Sequence, residues 1–369
     1  MAIQASAQAY HYDVNNDKQV NVTDIMLVVN KILGNTTEPE EHPLTITVSE
    51  NPLISSEASG PQQGPRRSPE VTTESLQQFD ISWMYEYDAP TGKKFKYPES
   101  TGETYYYTKP GQSSGYYVTN QSWPSNIAGE NGDVPLNVFG FNDGYFEQNA
   151  DNAGHPYLEV GTDESSDFQC DMIVAKNAKT WNQCYGNVPL VFNHVCSAFQ
   201  FYIKKSEGMA NYSIEVSKVV LHHIKKQGRY YLMSDEWSFS NENQNELYTN
   251  YTLKEFGNSD YMSLSAEESL LNINKKDYLF IIPQTITSMA KGTPIATADA
   301  NKQSYIEISC SITKDGQRWP VSGFGSVYLP FNPTFSNTEG KMKPGYIYPI
   351  IINVGTSIRD ANGGQITLQ

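Results

Sequence analysis

Residues 13–24 read DVNNDKQVNVTD, with side-chain oxygens at Asp13, Asn15, Asp17 and Asn21 and again at Asp24 in the twelfth place. A calcium ion takes about six or seven oxygens at roughly 2.5 Å, and this spacing wraps a loop around one. Gln19 would supply its backbone carbonyl, and Val20 would pack beneath the loop. The periodicity that follows predicts a helix over 24–33, with Ile25, Val28, Val29 and Ile32 on one face and Gly34 as its stop.

Other groupings that could do chemistry fail on context. GQSSG at 111–115 fits the pattern GxSxG, but a nucleophilic serine needs a strand, a strained elbow and a helix. Ser113 instead falls between two tyrosine-rich strands, at 105–107 and 116–118, and reads as a hairpin turn. His222 and His223 lie in a strand, where neighbours point to opposite faces and cannot share a metal. His194, on an apolar strand, reads as a satisfied core histidine. Asp163 and Glu164 fall in a loop over 142–164, which also holds His155, with nothing to raise a pKa as a glycosidase acid requires. No enzyme is expected. Tyr106 and Tyr116 offer rings for a glycan-binding face; cross-strand packing is the plainer use of such rings.

The elements that must carry these residues are strands. The chain has 369 residues, 25 of them Tyr, with Gly and Pro spread throughout. Outside 24–34 no long amphipathic period appears, which predicts an all-β protein. A net charge of -15 excludes nucleic acid as a partner, since phosphates need a basic face. No run of about 20 apolar residues exists to span a membrane as a helix. MAIQASAQA at 1–9 resembles the tail of a secretory signal, so export is expected. Of the four cysteines, Cys196 and Cys310 fall in apolar strands as buried thiols; Cys170 and Cys184 could bridge a hairpin.

The stretch 171–203 organises the rest. Leu190, Phe192 and His194 alternate; then the apolar face shifts to Val195, Phe199, Phe201 and Ile203. Such a phase shift marks a bulge or a switch between sheets, the seam of two β-units. The expected organisation is a calcium loop and helix at 10–34, a polar linker at 35–43, and β-domains at 44–185 and 186–369. The first domain includes a short strand at 44–48, an exposed loop at 55–70, and a strand at 79–87 with Phe79, Ile81 and Trp83 on one buried face. In the second, 230–233 should return onto 213–224 across a turn at Gln227-Gly228.

The 13–24 loop and its helix resemble a dockerin type I repeat. Lys18 stands where the repeat usually has Gly, and a second repeat is absent, so cohesin docking is not expected. The rest of the chain resembles the fimbrillin family of Bacteroidales surface pili. The resemblance rests on RRSPEVTTESLQQFDI (66–81), QCDMIVA (169–175), NVPLVFNHVCSAFQFYI (187–203), IEVSKVVLHHI (214–224), LFIIPQTIT (279–287), VYLPF (327–331) and KPGYIYPIIINVG (343–355). It implies two tandem transthyretin-like β-sandwich domains and a structural or adhesive role at the surface of a Gram-negative cell, toward other subunits or a host or bacterial surface ligand. It also implies cleavage after Arg66 or Arg67, departure of the first strand, and its replacement by a strand of the next subunit.

Overall fold

Runs of β-branched and aromatic residues, broken by Gly, Pro and Asn, fold here as strands. The computed structural model describes residues 43–50, 54–55, 78–89, 92–96, 105–108, 116–123, 134–142, 147–150, 155–163, 169, 171–184, 186–239, 247–257, 260–271, 278–335, 341–355 and 358–366. For 43–50, 54–55, 78, 80, 86–89, 92–96, 105–108, 116–122 and 147–150 the description is of the backbone.

In chain order the first strands are β1 (Pro43–Glu50), β2 (Ile54–Ser55), β3 (Gln78–Ala89), β4 (Gly92–Lys96), β5 (Tyr105–Thr108), β6 (Tyr116–Ser122), β7 (Leu136–Phe141) and β8 (Glu147–Ala150). Next come β9 (Pro156–Gly161), β10 (Ile173–Lys179), the short helix α1 (Trp181–Cys184), β11 (Asn187–His194), β12 (Ser197–Lys205), β13 (Ser213–Lys225), β14 (Gln227–Tyr231) and β15 (Glu236–Ser238). The remainder are β16 (Tyr248–Glu255), β17 (Met262–Ser263), β18 (Ser269–Leu270), β19 (Leu279–Ile281), α2 (Ile295–Ala300), β20 (Tyr305–Lys314), β21 (Gln317–Trp319), β22 (Gly325–Pro330) and β23 (Tyr346–Val354).

They form four sheets. Sheet A runs β4-β3-β7-β10-β11-β1-β6, with β5 also on β3. Sheet B runs β18-β12-β23-β2, with β19 also on β12. Sheet C runs β15-β14-β9-β8. Sheet D runs β16-β13-β20-β21, with β17 also on β13 and β22 also on β20. The fold is all-β, as expected.

Among the described residues, three of four apolar clusters lie between the sheets; the fourth, of Met289, Ala298 and Tyr305, lies under α2. Phe199, Phe201 and Ile203 of β12 meet Val219, Leu221, Ile308 and Cys310 of sheet D, making a sandwich of B and D. Each fully buried Phe there contributes about 1.5–3 kcal/mol. Phe79, Ile81 and Trp83 of β3 face Val188, Leu190 and Phe192 of β11 across a second core. Two strands separate β3 from β11 in sheet A, yet the rings of Phe79 and Phe192 lie 5.2 Å apart. Strand spacings of about 4.8 Å would hold them far apart on a flat sheet, so sheet A curls around this core.

A third core joins sheets A, B and C. Met84, Phe139, Phe141 and Val174 on the other face of sheet A pack with Leu158 and Val160 of sheet C and with Ala198 and Phe280 of sheet B. β3 and β7 are therefore buried on both faces; the half-buried reading of 79–87 missed Met84, which is 0% exposed. The packing also explains Gly140. A Cβ there would come within 2.9 Å of both Leu190 and Phe192.

The phase shift in 187–203 is the passage between sheets. β11 ends at His194 in sheet A, and β12 begins at Ser197 in sheet B. Leu190 and Phe192 enter the core of sheet A, Val195 the joining core, and Phe199 and Phe201 the sandwich core. By its hydrogen bonds, 187–194 lies with the strands that precede residue 185.

Several local expectations are corrected. The segment 142–164 is not a plain loop, since it carries β8 and β9. Residues 230–233 do not return onto 213–224. Tyr230 and Tyr231 end β14, which pairs with β9 and β15. The expected hairpin of 105–107 with 116–118 gives way to β5 on β3 and β6 on β1. Ser55, placed in an exposed loop, pairs through β2 with Ile347 of β23. Cys184, Cys196 and Cys310 are free buried thiols; Cys170 lies outside the described residues.

Candidate functional site

The feature that stands apart is the place of β1. The first described strand, β1, is inserted between β11 and β6. It runs parallel to β11, with Thr45 opposite Asn187 and Glu50 opposite Phe192, and antiparallel to β6, with Thr47 opposite Tyr116. Both of its backbone edges are thus used. A parallel pair cannot be closed by a tight turn and needs a long connection. β1 is therefore held in its slot by ladder hydrogen bonds on both edges.

The slot has an apolar wall. Val188, Leu190 and Phe192 of β11 are all fully buried in the core of sheet A. Without β1, β11 would present an open row of N–H and C=O groups, and β6 would lose its partner. Such an edge is a template for another strand. Past β1 the same segment touches sheet B, where Ile54 and Ser55 lie parallel to Tyr346 and Ile347 of β23. The leading segment therefore spans both sheets.

Polar side chains lock the passage at 194–197 beside the slot. Where a strand changes sheets its backbone loses ladder partners, and side chains must replace them. His194 Nδ1 lies 3.0 Å from the Asp171 carboxylate, with the two side chains 2% and 0% exposed. Asn142 Nδ2 donates to the Asp171 carbonyl at 2.7 Å, and its Oδ1 accepts from Ile173 N at 2.9 Å. Trp237 Nε1 donates to the Val195 carbonyl at 3.1 Å, and Ser197 Oγ donates to the Lys343 carbonyl at 2.8 Å. His194 is thus a satisfied core histidine.

The paired histidines depart from the regular-strand reading. β13 is bulged between Leu221 and Ile224, and His223 has φ 56°, in the left-handed region. The bulge brings both rings against Tyr305, that of His222 at 4.4 Å and that of His223 at 5.6 Å. They do not point to opposite faces. His222 Nε2 donates to Glu307 at 2.9 Å, while His223 Nδ1 donates to the Gln303 carbonyl at 2.9 Å. Burial holds the His223 pKa below the ordinary value, against the raising effect of the Gln303 carbonyl and Asp299.

Among the described residues, no three His, Cys, Asp or Glu side chains group as a metal site, and no helix is long and apolar enough to cross a membrane. Asp13, Asn15, Asp17, Gln19, Asn21 and Asp24, together with Arg66, Arg67, Ser113 and Glu164, lie outside the described residues. Tyr106 and Tyr116 are placed by backbone alone, in β5 and β6. The sequence analysis missed β2, whose two residues are too few to show a period. It also missed the link of Glu307 to His222 and Ser326, which the polar alternation of β20 and β22 could have suggested.

Comparison with known proteins adds two family matches. A family model described as fimbrillin-like matches residues 72–364. A model described as the dockerin type I domain, a calcium-binding module, matches residues 11–47. Among solved structures, a fimbrial protein from Bacteroides vulgatus is similar at 14% identity and TM-score 0.45, over 88% of this chain and 98% of that one. A fimbrial assembly protein from Parabacteroides distasonis is similar at 11% identity and TM-score 0.36, over 89% of this chain and 99% of that one. No curated protein matches.

Proposed function

The chain belongs to the fimbrillin-like family, and from that premise we propose that it is a non-enzymatic subunit of a surface appendage assembled by strand exchange. Cleavage after Arg66 or Arg67 frees the leading segment, β1 leaves its slot, and a strand of the next subunit takes its place. The observation that carries this reading is the position of β1, paired on both edges inside sheet A and parallel to β11.

The physics favours exchange over permanent loss. An emptied slot would expose a backbone edge on β11 beside the apolar wall of Val188, Leu190 and Phe192, and an added strand satisfies both. In this reading β2 leaves with β1, and so does the dockerin-like segment with any calcium it holds. The units divide at 195–196, between β11 and β12, so that each keeps its own core. The protein is exported and works at the cell surface of a Gram-negative bacterium, with other subunits as its partners.

The test is electron microscopy of the purified chain before and after limited trypsin treatment. Filaments in the cut sample, with Arg66 or Arg67 as the new C-terminus of the released piece, are the expected outcome. A trimmed chain that stays monomeric would rule out strand exchange.

A further inference from the structure

The outer face of sheet D carries a cavity that the assembly reading leaves unused. A regular sheet face is nearly flat, but β13 is not regular. Its register breaks between Val216 and Lys218 against β20, and between Val219 and Val220 and again between Leu221 and Ile224 against β16. Bulges bend a strand and re-aim its side chains, and they gather beside functional sites. A half-open cavity of about 370 Å³ lies over these breaks, with Lys218, Val220 and His222 of β13 in its lining. That size falls within the range of about 300–1,000 Å³ typical of small-molecule sites.

The groups around it are fixed before any ligand arrives. Glu307 accepts from His222 Nε2 at 2.9 Å and from Ser326 Oγ at 2.6 Å. His222 is itself stacked on Tyr305, with an interplanar angle of 15°. The hydrogen bond from His222 holds Glu307 below the usual carboxylate range, so it is an ionised acceptor with capacity for further donors. On the other side, Asn250 Oδ1 accepts from His223 N at 3.1 Å, which leaves its two amide protons to give. Lys218, which gives one of its three protons to Glu255 at 3.1 Å, and Thr252 add further donors.

This composition selects a ligand class. Lys218 is paired with Glu255 at 3.1 Å, and Glu307 already accepts from His222 and Ser326, so neither charge is left to select an anion or a cation. No metal-binding trio occurs among the described residues. Among the described residues Val220 is the one apolar side chain in the lining, set among seven that can hydrogen-bond. A neutral molecule bearing many hydroxyls, each both donor and acceptor, fits what remains. We propose that this cavity binds a neutral sugar residue of a glycan. The site stands on sheet D alone and does not depend on how the subunit polymerises.

Saturation-transfer difference NMR on the full, uncut chain tests it, with a panel of neutral methyl glycosides and disaccharides as probes. Transfer to at least one saccharide is expected. Glu307→Gln should weaken it by about tenfold or more, as loss of a charged acceptor does. Thr252→Trp, which fills the cavity from an exposed-side position of β16, should abolish it with the melting temperature unchanged. If Glu307→Gln fails to fold, Thr252→Trp decides alone. Transfer to no saccharide, or transfer undiminished by Thr252→Trp, overturns the proposal.

Discussion

Val48 of β1 stands directly opposite Leu190 of β11, in parallel register, although no turn joins the two strands. Neighbouring Ile46 is opposite Val188 on one side and Tyr117 on the other. Proline lacks the N–H that a central strand must donate. Ile46→Pro would leave a ladder acceptor unpaired, at about 1–3 kcal/mol. After trypsin treatment, the leading segment of this variant should dissociate roughly tenfold to hundredfold faster than that of the parent chain. Size-exclusion chromatography with mass spectrometry of the released piece measures the rate.

The passage from sheet A to sheet B makes a separate demand on stability. Asp171 and His194 are buried against each other at 3.0 Å. Truncating one partner strands the other away from water, which costs about 2–4 kcal/mol. Asp171→Ala should lower the urea midpoint accordingly, and Asp171→Asn, which keeps a polar partner for the ring, should lower it less.

His223 gives stability a pH dependence of known sign. Its folded pKa is lowered from 6.5 by burial, so below that value the unfolded chain takes up a proton that the folded chain resists. The stability is whole above about pH 6.5 and is lost as pH falls from there toward the lowered folded value. Glu307, also lowered, acts only below its ordinary 4.5, outside this window. His223→Asn removes the titration while suiting the left-handed φ of 56°. Melting curves from pH 7 to 5 should decline for the parent chain and decline less for the variant.

The 13–24 loop predicts calcium uptake by the whole chain. Calorimetric titration of protein freed of metal with EDTA should show one site, with a gain in helicity by circular dichroism. Asp13→Ala, which removes a charged ligand, should weaken the affinity by about tenfold or more. Heat that persists unchanged in the variant would place the ion elsewhere.

The sequence by itself determined the strand class, the buried face of 190–203 and the switch within it. Alternation at Leu190 and Phe192, and its shift at Val195, follow from the period-two geometry of a strand, which depends only on neighbours along the chain. The buried fate of His194, Cys196 and Cys310 followed from the same pattern. Only the tertiary structure decided who pairs with whom. The placing of β1 beside β11, of β14 beside β9, and of the bulge that turns His222 and His223 onto one tyrosine depends on side chains distant in sequence. A strand's own residues read the same whichever neighbour completes its hydrogen bonds, and that neighbour is chosen by the packing of cores no local stretch contains.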